Sequence, residues 1–178
     1  MHVSVTVHMA APPERIWPLV SDVTKVGEFS PETFEAEWLD GATGPAVGAR
    51  FRGHVRRNGW RWAVYWTTCK VVACEPNREF AFQVITLGKP SSTWRYVLRP
   101  DADGTDVTES FQLEDTAPLR LYWWMLGWSR GRTNNEGMRR TLEGVRAVAE
   151  STTAPGAAKG DAVGEVDEAG RSGSEPSG

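Results

Sequence analysis

Apolar and polar residues alternate with a period of two along most of the chain as far as Leu113, and beyond it the period becomes helical. Val3, Val5 and Val7 interleave with Ser4, Thr6 and His8, the pattern of a strand with one face buried. Ala11-Pro12-Pro13 then opens a helix with Ile16, Leu19 and Val20 on one side, since proline is tolerated in a first helical turn. Ser21 or Asp22 is placed to cap a second short helix through Val23, Val26 and Phe29. Ser30-Pro31 ends it, because the residue before a proline avoids the α region.

From Thr33 the strand pattern returns, with runs over 34–39, 51–55, 60–74, 80–84, 94–98 and 107–113. Turn residues separate them: Asp40-Gly41 with Gly44-Pro45 and Gly48, then Asn58-Gly59, Glu75-Pro76-Asn77, the stretch from Gly88 to Ser92, and Asp101 to Gly104. With the first strand this predicts seven strands, the last six joined as consecutive hairpins. Within them Phe51, Gly53 and Val55 share a face, as do Trp94, Tyr96 and Leu98, and Val107, Glu109, Phe111 and Leu113.

A long C-terminal helix is predicted from Ala117 to Glu150, with Leu119, Trp123, Leu126, Met138, Leu142, Val145 and Val148 on its apolar face. Gly127, Gly131 and Gly137 are each about 1 kcal/mol poorer than alanine in a helix, so a kink or break is expected between Trp128 and Asn135. The composition then falls to Ser, Thr, Ala, Pro, Gly and acids. That is too little apolar surface to offset ordering entropy, and residues 152–178 are expected to be a disordered acidic tail. One folded domain over residues 1–151 accounts for the rest.

Charge narrows the partners. The tail beyond residue 150 holds five of the 23 acids and two of the 20 Lys and Arg residues, so the part before it carries 18 of each sign. A neutral domain lacks the basic excess that a phosphate backbone requires, which argues against nucleic acid. Cys69 and Cys74 are the only cysteines, and at roughly 3.3 Å per extended residue they stand too far apart for a disulfide. The N-terminus lacks a signal-peptide pattern and no apolar run is long enough to span a bilayer, so a soluble cytoplasmic protein is expected, as a monomer or homodimer. The three histidines fall at no metal-ligand spacing, and there is no phosphate loop or nucleophile elbow, so no metal and no cofactor are predicted.

Several segments also look familiar in their order and spacing: Pro12-Pro13-Glu14-Arg15-Ile16-Trp17, Ser30-Pro31-Glu32, Trp38-Leu39-Asp40-Gly41, Gly48-Ala49-Arg50-Phe51, Glu75-Pro76, Trp94-Arg95-Tyr96, Gly104-Thr105 with Val107-Thr108-Glu109, and Gly137-Met138 with Thr141-Leu142. Together they resemble the bacterial polyketide cyclase/dehydrase-like branch of the START/Bet v 1-like superfamily, the SRPBCC proteins, over residues 1 to about 150. The resemblance implies an α+β helix-grip fold: a curved antiparallel sheet wrapped on the C-terminal helix, with an apolar cavity between them entered near the two short helices. It also implies a hydrophobic small-molecule ligand. Carriers, cyclases, dehydratases, receptors and chaperone activators share this frame, so the fold alone does not choose among them.

Glu109 is the residue that breaks an otherwise apolar face, and a buried carboxylate must be paired, hydrogen-bonded or protonated. It is a candidate ligand anchor or general acid or base, with Tyr96 as partner; the structural alternative is a pairing with a neighbouring Arg, Tyr or Trp. Glu32, at what the resemblance makes the mouth, either meets a polar ligand end or bonds the backbone of the broken helix. Phe51, Gly53, Val55, Trp94, Phe111, Trp123 and Met138 are candidate lining residues, and Gly53 leaves room where a side chain would fill the interior. Asn134 and Asn135 are polar groups that a ligand would meet at the weakened centre of the helix. Arg56, Arg57 and Arg61 beside Trp60 and Trp62 either form a cation–π platform or lie over aromatics that pack the sheet. Tyr122 to Met125 and Trp128 form a lid, ordinary packing, or a patch that touches a membrane or protein through Trp124 and Trp128.

Overall fold

The computed structural model describes residues 2–56, 64–114 and 135–151. The seven expected strands are present as β1 (His2–Met9), β2 (Thr33–Trp38), β3 (Arg50–Arg56), β4 (Val64–Glu75), β5 (Glu79–Thr86), β6 (Lys89–Asp101) and β7 (Gly104–Leu113). They form one antiparallel sheet in the order β1-β7-β6-β5-β4-β3-β2. β2 to β7 are a meander, and β1 pairs with the last strand instead of the next one because the short helices carry the chain across. Those are α1 (Pro13–Ser21), a 3-10 turn (Val23–Lys25) and α2 (Val26–Phe29). The C-terminal helix, α3, occupies 135–151. The result is an α+β helix-grip fold, a curved sheet closed on a C-terminal helix.

Alternation sets the inner face of the sheet. Val5, Val7 and Met9 of β1, Val107 and Phe111 of β7, Tyr96 and Leu98 of β6, Phe80 of β5, Cys69 and Val71 of β4, Phe51 of β3 and Ala36 of β2 are all buried in one core. From α3 the core takes Met138, Leu142, Val145 and Ala149. Val148, expected on this face, is 40% exposed, and Ala149 holds the inward position. The steps of four, three and four residues from Met138 follow the stripe of a 3.6-residue helix, and position 148 falls off it.

The short helices differ from expectation in one respect. Pro12 is extended and Pro13 is the first residue of α1, where a missing N–H leaves nothing unsatisfied. Ile16 and Val20 are buried, and Trp17 meets Phe80 edge-on at 6.4 Å between ring centroids. The cap of the next element is Asp22, whose carboxylate accepts from the Thr24 N–H (3.1 Å) and hydroxyl (2.6 Å), while Ser21 returns its hydroxyl to the Trp17 carbonyl (2.8 Å). The single second helix that was expected is instead a 3-10 turn followed by the one turn of α2. Eight residues between Asp22 and Pro31, with Gly27 among them, are too few and too weak for one regular helix.

Both edges of the sheet are fastened to α3. A Cβ on Gly27 would lie 2.2 Å from the Phe34 carbonyl oxygen, so only glycine lets α2 lie this close to β2. On its other side α2 sets Phe29 against Gly144 of α3, where a Cβ would stand 3.5 Å from the ring. At the β1 edge the Ala10 N–H donates to the Glu150 carboxylate at 2.9 Å.

The hairpins follow the glycines. Asp40 and Gly41 both have positive φ (55° and 78°), as expected of that pair. The β5–β6 turn, however, consists of Leu87 and Gly88 (52° and 75°), and Lys89 to Ser92, expected as turn, belong to β6. Pro90 is accommodated opposite Ile85, beside a register shift in the ladder where a missing N–H is tolerated.

Outside the described residues lie the Asn58-Gly59 hairpin with Arg57, Trp60, Arg61 and Trp62, the helix start from Ala117 with Leu119, Tyr122, Trp123, Trp124, Met125 and Trp128, Asn134, and the tail from 152. Among the described residues no helix is long and apolar enough to cross a membrane.

Candidate functional site

Register places a carboxylate at the centre of the inner face. Glu109 on β7 stands between Val5 on β1 and Tyr96 on β6. Its inward parity is fixed by Val107 and Phe111 two residues to either side, which the hydrophobic core holds. Glu109 is 3% exposed. The Tyr96 hydroxyl donates to Glu109 Oε1 at 2.9 Å, while Oε2 is buried with no hydrogen-bond partner among the described residues. The pairing expected of a buried acid is therefore half made.

Burial decides the charge state of this pair. It pushes the Glu109 carboxyl up to about 8, and the hydrogen bond from Tyr96, which favours the ionised form, reverses only part of that. Burial also holds the Tyr96 hydroxyl well above its ordinary value, helped by the Glu109 charge and by the bond between them. At neutral pH the pair is a neutral acid accepting from a neutral phenol. Chemically, it can donate a proton or a hydrogen bond from Oε2.

Aromatic groups surround the pair along the register. Phe80 stands opposite Tyr96 and Phe82 opposite Trp94, and Trp94 in turn lies against Phe111 at 4.9 Å between centroids. Phe51 is buried and meets Trp38 at 5.7 Å and Phe82 at 5.0 Å, both edge-on. Phe51, Trp94, Tyr96, Phe111 and Met138, singled out from the sequence, thus join one core. Val55 is half-buried at the end of β3. The room expected beside Gly53 is taken by its neighbours, since a Cβ there would meet the Thr33 methyl at 3.3 Å and the Thr67 hydroxyl at 3.6 Å. Asn135 is exposed at the first described turn of α3.

At Glu32 the backbone capping is done by the residue two before it. The Ser30 hydroxyl accepts from the N–H groups of Glu32 (3.3 Å) and Thr33 (3.0 Å), and the Glu32 carbonyl accepts from the Arg56 N–H at 2.8 Å. The Glu32 side chain is in a half-buried position. Sequence reasoning missed Phe80 and Phe82 as neighbours of the pair, and it missed Ser92 and Thr141 as buried polar groups. For the strand residues the signal was inward parity, which needs the register to be read, and for Thr141 it was its place beside Met138 and Leu142 on the inner stripe of α3.

The outer face of β2, β3 and β4 carries the other aromatic cluster. His54 stacks on Trp66 at 4.3 Å with 8° between planes, and Phe34 covers its other side at 4.4 Å. The Arg52 guanidinium lies 4.4 Å above Trp66, and that of Arg56 lies 5.1 Å from Phe34. Arg52 is also paired with Glu37. Arginines lying over sheet aromatics are thus present in the described part of this cluster. Among the described residues no group of three or more His, Cys, Asp or Glu side chains is placed to hold a metal ion.

Comparison with known proteins agrees with this architecture. The family model described as "Polyketide cyclase / dehydrase and lipid transport" matches residues 1–150. Among solved structures, a Polyketide_cyc-like protein of Corynebacterium glutamicum is 29% identical, with a TM-score of 0.50 over 85% of this chain and 91% of that one. A protein of Thermus thermophilus is 16% identical, with a TM-score of 0.66 over 86% and 99%. The di-domain ARO/CYC StfQ from the steffimycin biosynthetic pathway is 14% identical, with a TM-score of 0.63 over 85% of this chain and 51% of that one. A search of curated proteins found no match. With the family model spanning the strands, the short helices and α3 almost to its end, the chain belongs to the polyketide cyclase/dehydrase and lipid transport family.

Proposed function

We propose that the protein binds a hydrophobic small molecule, polyketide-, lipid- or aromatic-like, between the inner face of the sheet and α3, as a non-catalytic binding or carrier protein. The observation that carries this reading is the half-satisfied carboxyl group of Glu109 amid aromatic and aliphatic side chains. Small-molecule sites are built in this way, from mostly apolar walls with a few polar atoms that fix orientation. An unsatisfied buried polar atom costs about 1–3 kcal/mol, which a ligand atom bonded to it would offset. Family membership supports the class of ligand. Native mass spectrometry of the protein purified from its own host should show a co-purifying small molecule; a ligand-free protein that also ignores polyketide, fatty-acyl and polycyclic aromatic compounds would refute the reading.

A second reading is a cyclase, aromatase or dehydratase, and the raised Glu109 carboxyl favours it. A carboxylic acid still protonated near neutral pH can act as a general acid toward a substrate carbonyl or hydroxyl. Glu109→Gln separates the two readings. If that variant keeps fold and ligand affinity but abolishes turnover of the bound compound, the carrier reading fails.

A further inference from the structure

The two edges of the sheet are guarded differently. β2 is one edge, and it carries the devices that keep an edge strand from pairing further: only six residues, a register shift between Thr33 and Glu35, two acids in Glu35 and Glu37, and the backbone of α2 drawn against the Phe34 carbonyl at Gly27. β1 is the other edge and carries none of them. Its eight residues pair with β7 without a break from His2 to Met9, and they include no proline, Lys, Arg, Asp or Glu. In an antiparallel ladder every second residue turns its N–H and C=O away from the partner strand. Among the described residues no strand pairs with β1 on that side. Beyond the ladder its backbone is engaged at one end, where the Met9 carbonyl accepts from the Ala11 N–H and the adjoining Ala10 N–H donates to Glu150.

We propose that the β1 edge pairs with the β1 edge of a second copy of this chain, antiparallel about a two-fold axis at Val5, so that two seven-stranded sheets become one. The partner follows from the strand's own pattern. Val5, Val7 and Met9 are buried and Val3 is half-buried, while His2, Ser4, Thr6 and His8 are exposed on the opposite face. Keeping the valines on one side of the joint sheet requires odd residues to oppose odd ones. The register that uses His2 to His8 in full sets Val5 opposite its own copy, Val3 opposite Val7, Ser4 opposite Thr6 and His2 opposite His8. Sliding by one such step one way draws in the engaged Met9 carbonyl and Ala10 N–H, and sliding the other way shortens the ladder. This register sets valine beside valine on the core side and hydroxyl beside hydroxyl on the outer side, pairs that stabilise neighbouring strands, and it opposes no two carboxylate, ammonium or guanidinium groups. A two-fold pairing of this kind also closes on itself and leaves no β1 edge open.

The test uses the full chain. Sedimentation velocity should show a monomer–dimer equilibrium across about 1–100 µM, since an interface of one strand edge falls in the small, weak class. Ser4→Lys combined with Thr6→Lys sets like charges opposite each other twice, and should weaken the dimer by about 10-fold or more. Ser4→Glu combined with Thr6→Glu should do the same. An equimolar mixture of these two double variants should associate again, which shows at once that both fold and that the edges meet. Mild oxidation reads the register: Ser4→Cys mixed with Thr6→Cys should give a disulfide-linked dimer, because directly opposed residues lie within disulfide reach, and Ser4→Cys alone should not. A dimer that ignores the Lys substitutions, or that crosslinks in another register, overturns the proposal. A monomer at every concentration overturns it too, and hydrogen exchange at the β1 amides then tells whether another segment of the chain covers the edge, giving slow exchange, or the edge meets solvent, giving fast exchange.

Discussion

Glu109 and Tyr96 share one hydrogen bond where the acid has room for two, and the consequences reach folding as well as binding. Tyr96→Phe removes the one hydrogen bond that the carboxyl group makes among the described residues. Because that bond favours the ionised form, its loss should raise the Glu109 carboxyl further and should destabilise the protein by about 1–3 kcal/mol, measured by urea denaturation. The double variant Tyr96→Phe with Glu109→Met should recover most of that loss, since replacing both partners by apolar groups of similar shape is nearly neutral. A double variant less stable than either single one would mean that each side chain stabilises by its own packing and not through the bond they share. Stability should also depend on pH with a defined sign. The folded carboxyl is raised from 4.5 to about 8, so its contribution is full below about 4.5 and declines as pH rises toward 8, where the folded state ionises too and the loss levels off. Across that window the unaltered protein should lose stability relative to Glu109→Gln by up to about 1.4 kcal/mol per pH unit. Parallel pH profiles for the two proteins would contradict the buried neutral acid.

At the scale of elements, α3 and α2 are held by side chains whose neighbours predict opposite responses to similar changes. Leu142 is fully buried, and Leu142→Ala should cost about 2–5 kcal/mol, while Val148→Ala on the exposed side should stay within about 0.5 kcal/mol. Two glycines make the sharper contrast. Gly144→Ala adds a methyl at ordinary contact distance from Phe29 inside a helix, and should stabilise by up to about 1 kcal/mol. Gly27→Ala drives a methyl into the Phe34 carbonyl, and should destabilise by about 1–3 kcal/mol as α2 moves off β2. Denaturation midpoints of the four variants check all of this. The pattern that was visible beforehand was the glycine content, but nothing in the sequence distinguishes a glycine kept for close approach from one that a helix would be better without.

At the scale of the whole molecule, α3 completes the core that the sheet begins. It fills the inner face with Met138, Leu142, Val145 and Ala149, bonds the β1 edge through Glu150, and meets the β2 edge through Phe29. A chain ended before residue 135 should therefore lose its fixed packing, and near-ultraviolet circular dichroism with dye binding would show an expanded, dye-binding state. Much of this architecture was legible in advance because the signals are local. Period-two alternation and turn glycines mark the seven strands, prolines and the Ser21-Asp22 pair mark the helix starts, and the steps from Met138 to Val145 mark the helix face. Glu109 could be singled out for the same reason, since one charged residue at an inward position is visible in a strand pattern. Apart from the pairing of Glu109 with Tyr96, what depends on the exact register between segments was not legible. The Leu87–Gly88 turn and the placing of Pro90 follow from the β5–β6 register, and the inward turn of Ala149 in place of Val148 follows from how α3 lies on the sheet. The sequence by itself determined the elements, their order and the existence of a buried acid, because those follow from the residues next to one another. Tyr96 could be named as its partner, but only the tertiary structure decided that the bond reaches one oxygen of that acid and that, among the described residues, the other has none, because burial and the geometry of the pair, which no local pattern contains, set both the bond and the charge.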